Sequence, residues 1–142
     1  MSNTKTPNEQ EALGKHAGHY KTMGAMPEAL VDLARHAPGA FDAYSAMRAS
    51  LLKTEEQGAA LPLKYKHLII AVLDVQRDEP IGMNNHIRAA MLAGCTAEEV
   101  TEAVLLGIIV NGMPAWGKIG RKGVEFAHKF AQEQGGSSKT AG

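Results

Sequence analysis

Three ionisable side chains occur at helical spacings within a long apolar part of the sequence. Residues 66–116 are mostly apolar, yet they include His67, Asp74 and His86. Burial of an unpaired ionisable group costs several kcal/mol, so each of these side chains must have partners, lie at a subunit interface or face a cavity. Since an imidazole titrates near neutral pH, the two histidines suit proton transfer by general acid–base catalysis.

Metal and thiol chemistry have weaker support. The two histidines do not form an H-x-x-x-H or H-E-x-x-H pattern, so we expect no metal site, and we expect no cofactor. The single cysteine, Cys95, excludes an intramolecular disulfide and a two-cysteine redox centre within one chain. Cys95 precedes Thr96, a candidate helix cap, and we interpret it as a structural residue that packs on Val100.

The charge balance argues against nucleic acid and membrane partners. The 142 residues include 15 basic and 15 acidic side chains, without a block of Lys and Arg that would bind nucleic acid or an anionic membrane. The N-terminal residues lack the apolar core of a signal peptide, and the apolar runs are shorter than the roughly 18 residues of a membrane span. We therefore expect a cytoplasmic protein with a small-molecule or protein partner.

Prolines, glycines and caps divide the chain into helical segments. Apolar residues recur at three- and four-residue steps after Pro27 and Pro38, and the segment after Pro62 is apolar on almost all sides, which predicts a buried helix. Thr96 and Glu99 predict a capping box. The predicted helices begin at Pro27, Pro38, Pro62, Pro80, Thr96 and Pro114, and the last five end near Gly58, Gln76, Leu92, Val110 and Gln134.

The sequence thus predicts an all-α protein, a compact bundle of about six helices. We expect one helical domain over residues 25–134, a mobile segment at 1–24 and a disordered Gly/Ser-rich tail at 135–142. A strand at residues 68–75 (LIIAVLDV) stays open as an alternative, because a short apolar run fits either structure.

One continuous segment carries a family resemblance. Residues 86–116, HIRAAMLAGCTAEEVTEAVLLGIIVNGMPAW, together with the preceding helix, resemble the carboxymuconolactone decarboxylase family, which includes the alkylhydroperoxidase D-like proteins. The resemblance covers roughly residues 25–130. The resemblance implies the alkylhydroperoxidase D-like fold. It also implies a homo-oligomer, a trimer or hexamer, whose interfaces are built from apolar helices. It is less specific for the reaction, because one fold hosts several chemistries.

Three positions separate the chain from branches of that family. The peroxidase branch has a Cys-x-x-Cys pair seven and four residues before the histidine that matches His86; here these positions hold Glu79 and Gly82, so we expect no thiol peroxidase activity. The same branch has a glutamate proton relay nineteen residues before that histidine, where this chain has His67. The decarboxylase branch usually carries a carboxylate at the position of Gly82.

The resemblance implies a cofactor-free lyase, most simply a decarboxylase of a small carboxylated lactone or a related aromatic ring-cleavage acid. In this hypothesis His86 is the general acid or the oxyanion donor, and His67 and Glu79 tune its charge or relay protons. The candidates for contact with a small-molecule carboxylate substrate are Asp74, Asn85 and Trp116.

Each candidate also has a structural interpretation. His86 fits a core or interface histidine, His67 and Asp74 fit a pair that stabilises a buried helix, and Glu79 fits a carboxylate at a helix N-terminus. Two other functions therefore stay open. One is a non-catalytic oligomeric protein that binds a small molecule or serves as an accessory protein, and the other is a hydrolase or isomerase of a similar acid.

Overall fold

The computed structural model describes residues 7–21 and 26–139. Every regular element within these residues is helical, so the predicted all-α fold is confirmed. The strand alternative for residues 68–75 is wrong, because they belong to a helix at Leu63–Gln76. The chain divides into two compact units, Met1–Ala59 and Ala60–Gly142. A single helical domain over residues 25–134 stays a prediction.

The first unit contains α1 (Pro7–Tyr20), α2 (Glu28–His36) and α3 (Pro38–Leu51). Glu9, Ala12, His16 and Tyr20 of α1 are buried, and their spacings of three and four residues place them on one helix face. Helix α1 lies within segment 1–24, for which the sequence predicts mobility; residues 1–6 and 22–24 of that segment are outside the described residues.

Helix α3 ends at Leu51, earlier than the predicted end near Gly58. Residues Glu55–Gln57 form a separate 3-10 turn, at whose start the Thr54 amide donates to Oε1 of Gln57 at 2.9 Å. The side-chain acceptor satisfies an amide that a continuing helix would otherwise use, so the chain leaves the α-helix here. Gly58 then adopts a left-handed backbone with φ of 87°.

The second unit contains α4 (Leu63–Gln76), α5 (Pro80–Leu92) and α6 (Ala97–Asn111), and these bounds confirm the predicted helices. The short α7 (Met113–Ala115), a π-helical segment at Trp116–Gly120 and α8 (Arg121–Lys139) replace the single helix predicted from Pro114. Helix α8 includes residues 135–139 of the predicted disordered tail, since each added residue continues a helix that has already nucleated. Residues 140–142 are not described.

A capping box begins α6, as the sequence predicts. The Thr96 amide donates to Oε2 of Glu99 at 2.9 Å, and the Glu99 amide donates to Oγ1 of Thr96 at 3.1 Å. Gly94, with φ of 101°, ends the preceding turn. These reciprocal hydrogen bonds fix where α6 begins after α5.

Apolar side chains of α4, α5, α6 and α8 form the core of the second unit. At Gly123 of α8 a Cβ atom would lie 2.7 Å from Sδ of Met83 and 3.0 Å from Cδ1 of Ile87, so glycine allows α8 to approach α5 without displacing Met83. In the described part of the chain, no helix combines the length and hydropathy needed to cross a bilayer. The buried core residues are Leu68, Ala71, Val75, Met83, Ile87, Ala90, Cys95, Ala97, Val100, Val104, Ile119 and Ala127.

Candidate functional site

The site candidates lie on two helices joined by a short bend. Helix α4 ends at Gln76 and α5 begins at Pro80, so three residues connect them. Asp78, in the bend, has a left-handed backbone with φ of 59°. Such a short connection makes α4 and α5 antiparallel neighbours and brings their facing side chains into contact.

His67 of α4 and His86 of α5 contact each other through their rings. Their Nδ1 atoms are 3.0 Å apart, the ring centroids are 5.3 Å apart and the ring planes differ by 31°. The two residues are 6% and 4% exposed. The structure therefore brings together two of the three predicted catalytic residues.

The Nδ1–Nδ1 contact restricts where protons reside. A hydrogen bond between two imidazole nitrogens needs one N–H donor and one lone pair, so one Nδ1 atom carries the shared proton and the other accepts it. With both Nδ1 atoms so engaged, the two Nε2 atoms are the other positions for a proton. The pair can therefore pass a proton from one ring to the other without a solvent molecule between them.

Asp74 lies on the same interface, next to Gly82. A Cβ atom built on Gly82 would lie 2.6 Å from Oδ2 and 2.9 Å from Cγ of Asp74. Asp74 follows His67 by seven residues and Gly82 precedes His86 by four, so each pair shares a helix face. The contact with Gly82 was not predicted from sequence, since the glycine suggested only a missing carboxylate.

Glu79 is the N-cap of α5. Its Oε1 atom accepts a hydrogen bond from the Gly82 amide at 3.4 Å, and the side chain is exposed. The structural interpretation as a helix N-terminal carboxylate is thus confirmed. Seven residues separate Glu79 from His86, which is about 10 Å along a helix axis. A relay role for Glu79 stays a prediction.

The other two residues predicted to contact substrate, Asn85 and Trp116, lie on different elements of the second unit. Asn85 is half-buried on α5, directly before His86. Trp116 begins the π-helical segment and packs against the core of the second unit. Substrate contact by Asp74, Asn85 and Trp116 stays a prediction.

Two cavities of the second unit are lined by residues other than the histidine pair. A surface depression of about 550 Å³ lies beside Cys95, Met91 and Phe130. A groove of about 560 Å³ lies between α4 and α6. Its lining consists of Leu61, Tyr65, Leu68, Ile69, Val72, Leu73, Ala103, Leu106, Gly107 and Val110.

Charged and nucleophilic groups near the start of α6 have structural roles. Nζ of Lys64 lies 2.9 Å from Oε1 of Glu99. This bond, with that from the Thr96 amide, lowers the pKa of Glu99 to about 2. Burial, followed by the nearby Glu99 charge, raises the pKa of the Cys95 thiol to about 11. A thiol of such low acidity is a poor nucleophile, and this agrees with a structural Cys95.

The residues that the structure describes contain no candidate metal site, that is, no group of three or more His, Cys, Asp or Glu side chains that could hold a metal ion. The chemically distinctive feature of the second unit is thus an imidazole pair between antiparallel helices, with a carboxylate on the same interface.

The helices and the site described above define an all-α protein of the alkylhydroperoxidase D-like type. Comparisons with known proteins agree with this class. The sequence model of the carboxymuconolactone decarboxylase family matches residues 38–118. A crystal structure from Burkholderia xenovorans LB400, named "putative carboxymuconolactone decarboxylase", is 61% identical, with a TM-score of 0.87 over 91% of this chain and 98% of the other. The chain belongs to the carboxymuconolactone decarboxylase family. A search of the curated proteins finds no match.

Proposed function

We propose that this protein is a cofactor-free carboxy-lyase that acts on a small carboxylated lactone or a related aromatic ring-cleavage acid. The observation that carries the proposal is the 3.0 Å contact between the Nδ1 atoms of His67 and His86. Membership of the family supports a lyase, and the imidazole pair supplies the proton that decarboxylation must return to carbon.

The proposed reaction begins with cleavage of the bond between a substrate carbon and its carboxylate. The electron pair moves into the conjugated carbonyl of the lactone, and carbon dioxide leaves. The carbon then takes a proton from Nε2 of His86, while Nδ1 of His86 takes the shared proton from His67. The pair begins with one positive charge and ends neutral, and solvent restores the lost proton.

The surroundings of the pair support this chemistry. Leu68, Ala71, Ile87 and Ala90, on the same two helices, are buried apolar residues. A poorly solvated carboxylate loses carbon dioxide more readily than a hydrated one, because charge disperses in the transition state. The pair's positive charge in turn stabilises the developing enolate.

The test follows the ultraviolet absorbance of γ-carboxymuconolactone incubated with the purified protein. We expect turnover by the wild type and a loss of about 10²- to 10⁴-fold in His86→Ala, the range for removal of a general acid. His128→Ala is the matched control. His128 of α8 is exposed, and it forms a hydrogen bond with Thr101 of α6, away from the α4–α5 interface. Absence of turnover at micromolar enzyme, with the fold confirmed by circular dichroism, would exclude the decarboxylase.

A second candidate function is a non-catalytic small-molecule-binding protein. The burial of both histidines favours it, as does the lining of the two described cavities by other residues. In this case the lactone, or an apolar acid of similar size, should raise the melting temperature without being consumed. Turnover that depends on His86 would exclude this alternative.

We also propose that the protein is a homo-oligomer, a trimer or hexamer. Several large apolar side chains of α4 and α6 are exposed, a surface of the kind that subunit interfaces cover. Light scattering at micromolar concentration should give the mass of an oligomer, Leu106→Glu should reduce that mass, and Lys129→Glu on α8 should not. A monomeric wild type would refute the proposal. The exposed side chains are Tyr65, Ile69 and Leu73 of α4 and Leu105, Leu106, Ile109 and Val110 of α6, together with Leu61 just before α4.

A further inference from the structure

Gly82 of α5 has no side chain, and the Asp74 carboxylate from α4 lies where its Cβ would be. The nearest atoms to a Cβ built on Gly82 are Oδ2 of Asp74 at 2.6 Å, Cγ of Asp74 at 2.9 Å and Cγ of Glu79 at 3.2 Å. Non-bonded carbon and oxygen atoms do not approach to 2.6 Å, so any side chain at position 82 would displace the Asp74 carboxylate. Asp74 therefore fills the space that a residue on α5 would otherwise occupy.

This carboxylate lies at the same α4–α5 interface as the histidine pair. Gly82 is four residues before His86 on α5, about 6 Å along the axis, and Asp74 is seven residues after His67 on α4, about 10 Å along the axis. Because four- and seven-residue separations keep residues on one helix face, the Asp74–Gly82 and His67–His86 contacts belong to the same interface between the antiparallel helices α4 and α5.

We propose that Asp74 is a positioning residue for the His67–His86 pair, and that glycine at position 82 is what lets its carboxylate reach this interface from α4. The proposal rests on the proposed function for its catalytic consequence. The carboxylate lies beside Gly82, which is one turn before His86. Its negative charge favours the singly protonated, positively charged state of the pair, which is the state that donates a proton to substrate. Asp74 acts through the histidines and does not itself exchange a proton.

The geometry also predicts that the carboxylate can be moved to α5. In an aspartate two covalent bonds separate Cβ from a carboxylate oxygen, a distance of about 2.4 Å. This length is close to the 2.6 Å between the Gly82 Cβ position and Oδ2 of Asp74. The double variant Asp74→Ala/Gly82→Asp should therefore place an oxygen near the same point.

The first experiment tests the packing without any activity. Urea midpoints are measured for wild type, Gly82→Ala, Asp74→Ala and the double variant Asp74→Ala/Gly82→Ala. We expect Gly82→Ala to lower the midpoint when Asp74 is present and to raise it when Ala is at position 74, because alanine favours a helix more than glycine does. Gly39→Ala in α3 is the control, since no atom lies within 4 Å of its built Cβ. An equal effect of Gly82→Ala in both backgrounds would overturn the proposed packing.

The second experiment tests the action of the charge on the histidines. Imidazole ¹⁵N chemical shifts of His67 and His86 are compared at one fixed pH in wild type, Asp74→Asn and Asp74→Ala/Gly82→Asp. We expect Asp74→Asn to reduce the protonated fraction of the pair and the double variant to restore it. Unchanged shifts in Asp74→Asn would overturn the proposal, because a purely structural Asp74 would leave the protonation of the pair unaltered.

The third experiment uses turnover of γ-carboxymuconolactone by the same proteins. Asp74→Asn should lower kcat about 10-fold with little change in KM, and Asp74→Ala/Gly82→Asp should recover most of the loss. A loss confined to KM would overturn the positioning role. If the wild type lacks turnover, the proposed function fails, whereas the urea and NMR experiments still decide the placement and effect of Asp74.

Discussion

The contact between His67 and His86 predicts that the two imidazoles stabilise the fold as a pair. Alanine at either position removes a hydrogen bond worth about 1 kcal/mol and leaves the other buried Nδ1 without this partner, which costs about 1–3 kcal/mol. Alanine at both positions leaves no such nitrogen at the contact. The double variant loses only the hydrogen bond, so it should be less destabilised than the sum of the single variants by at least about 3 kcal/mol.

The assay is urea unfolding of the four proteins in this cycle, followed by far-ultraviolet circular dichroism at one protein concentration. A fixed concentration is needed because self-association would make the apparent stability depend on it. Contacts that each histidine makes elsewhere are lost in both branches of the cycle, so they cancel. The remaining difference measures the interaction between the two rings.

A control cycle combines His67→Ala with Leu92→Ala. Leu92 ends α5, half-exposed, six residues after His86 and about 9 Å further along the axis. Its effect should add to that of His67→Ala within about 0.5 kcal/mol. If the cycle of the two histidines is equally additive, the rings do not interact and the reasoning is refuted.

Three other predictions concern the start of α6. With the pKa of its buried thiol raised from 9.0 to about 11, Cys95 should react with iodoacetamide at pH 8 about 100-fold more slowly in folded than in urea-unfolded protein, as mass spectrometry can measure; equal rates would contradict this. The pKa of Glu99 is lowered from 4.5 to about 2, mainly by Lys64, so its stabilisation is complete above pH 4.5 and is lost as the pH falls towards 2. Glu99→Gln should therefore flatten that part of the curve of urea midpoint against pH, and an unchanged slope would argue against it. Thr96→Ala should cost about 1 kcal/mol in urea unfolding whereas Thr96→Ser should cost little, and equal losses would reject the cap.

The helices of the second unit were predictable because their ends have local chemical causes. Pro80 has no amide to lose at a first helical position, and Glu79 before it accepts a bond from a first-turn amide. The Thr96–Glu99 box likewise depends only on residues three apart. Such signals act within one turn, so they can be read without knowledge of tertiary structure.

Features that depend on other segments were not predictable in this way. Helix α1 has few apolar residues, and its buried face includes Glu9 and His16, which a hydropathy pattern counts as exposed. The π-helical segment at Trp116–Gly120 interrupts a stretch whose composition resembles one continuous helix. There, a Cβ built on Gly120 would lie 3.2 Å from Cγ1 of Val104 on α6 and 3.4 Å from Cγ1 of Val75 on α4, so the segment packs closely against two other helices.

The candidate site also has one part that the sequence predicts and another that depends on how the helices pack. Spacing within α4 puts His67 and Asp74 on one face, and spacing within α5 does so for Gly82 and His86. Spacing does not give the register between the helices, so neither the ring contact nor the Asp74–Gly82 contact could be derived. From the sequence, Gly82 indicates only that a carboxylate of the decarboxylase branch is missing. In the structure, the carboxylate of Asp74 from the neighbouring helix lies at this position.

The three-residue bend between α4 and α5 also limits how this protein can change over evolution. One inserted residue that lengthened the start of α5 would rotate the rest of the helix by about 100° and shift it by about 1.5 Å, so His86 would turn away from His67. Substitutions can alter the chemistry of the bend, but a change in its length would separate the rings. Insertions and deletions should therefore be rarer between Arg77 and Glu79 than in other connections of the chain.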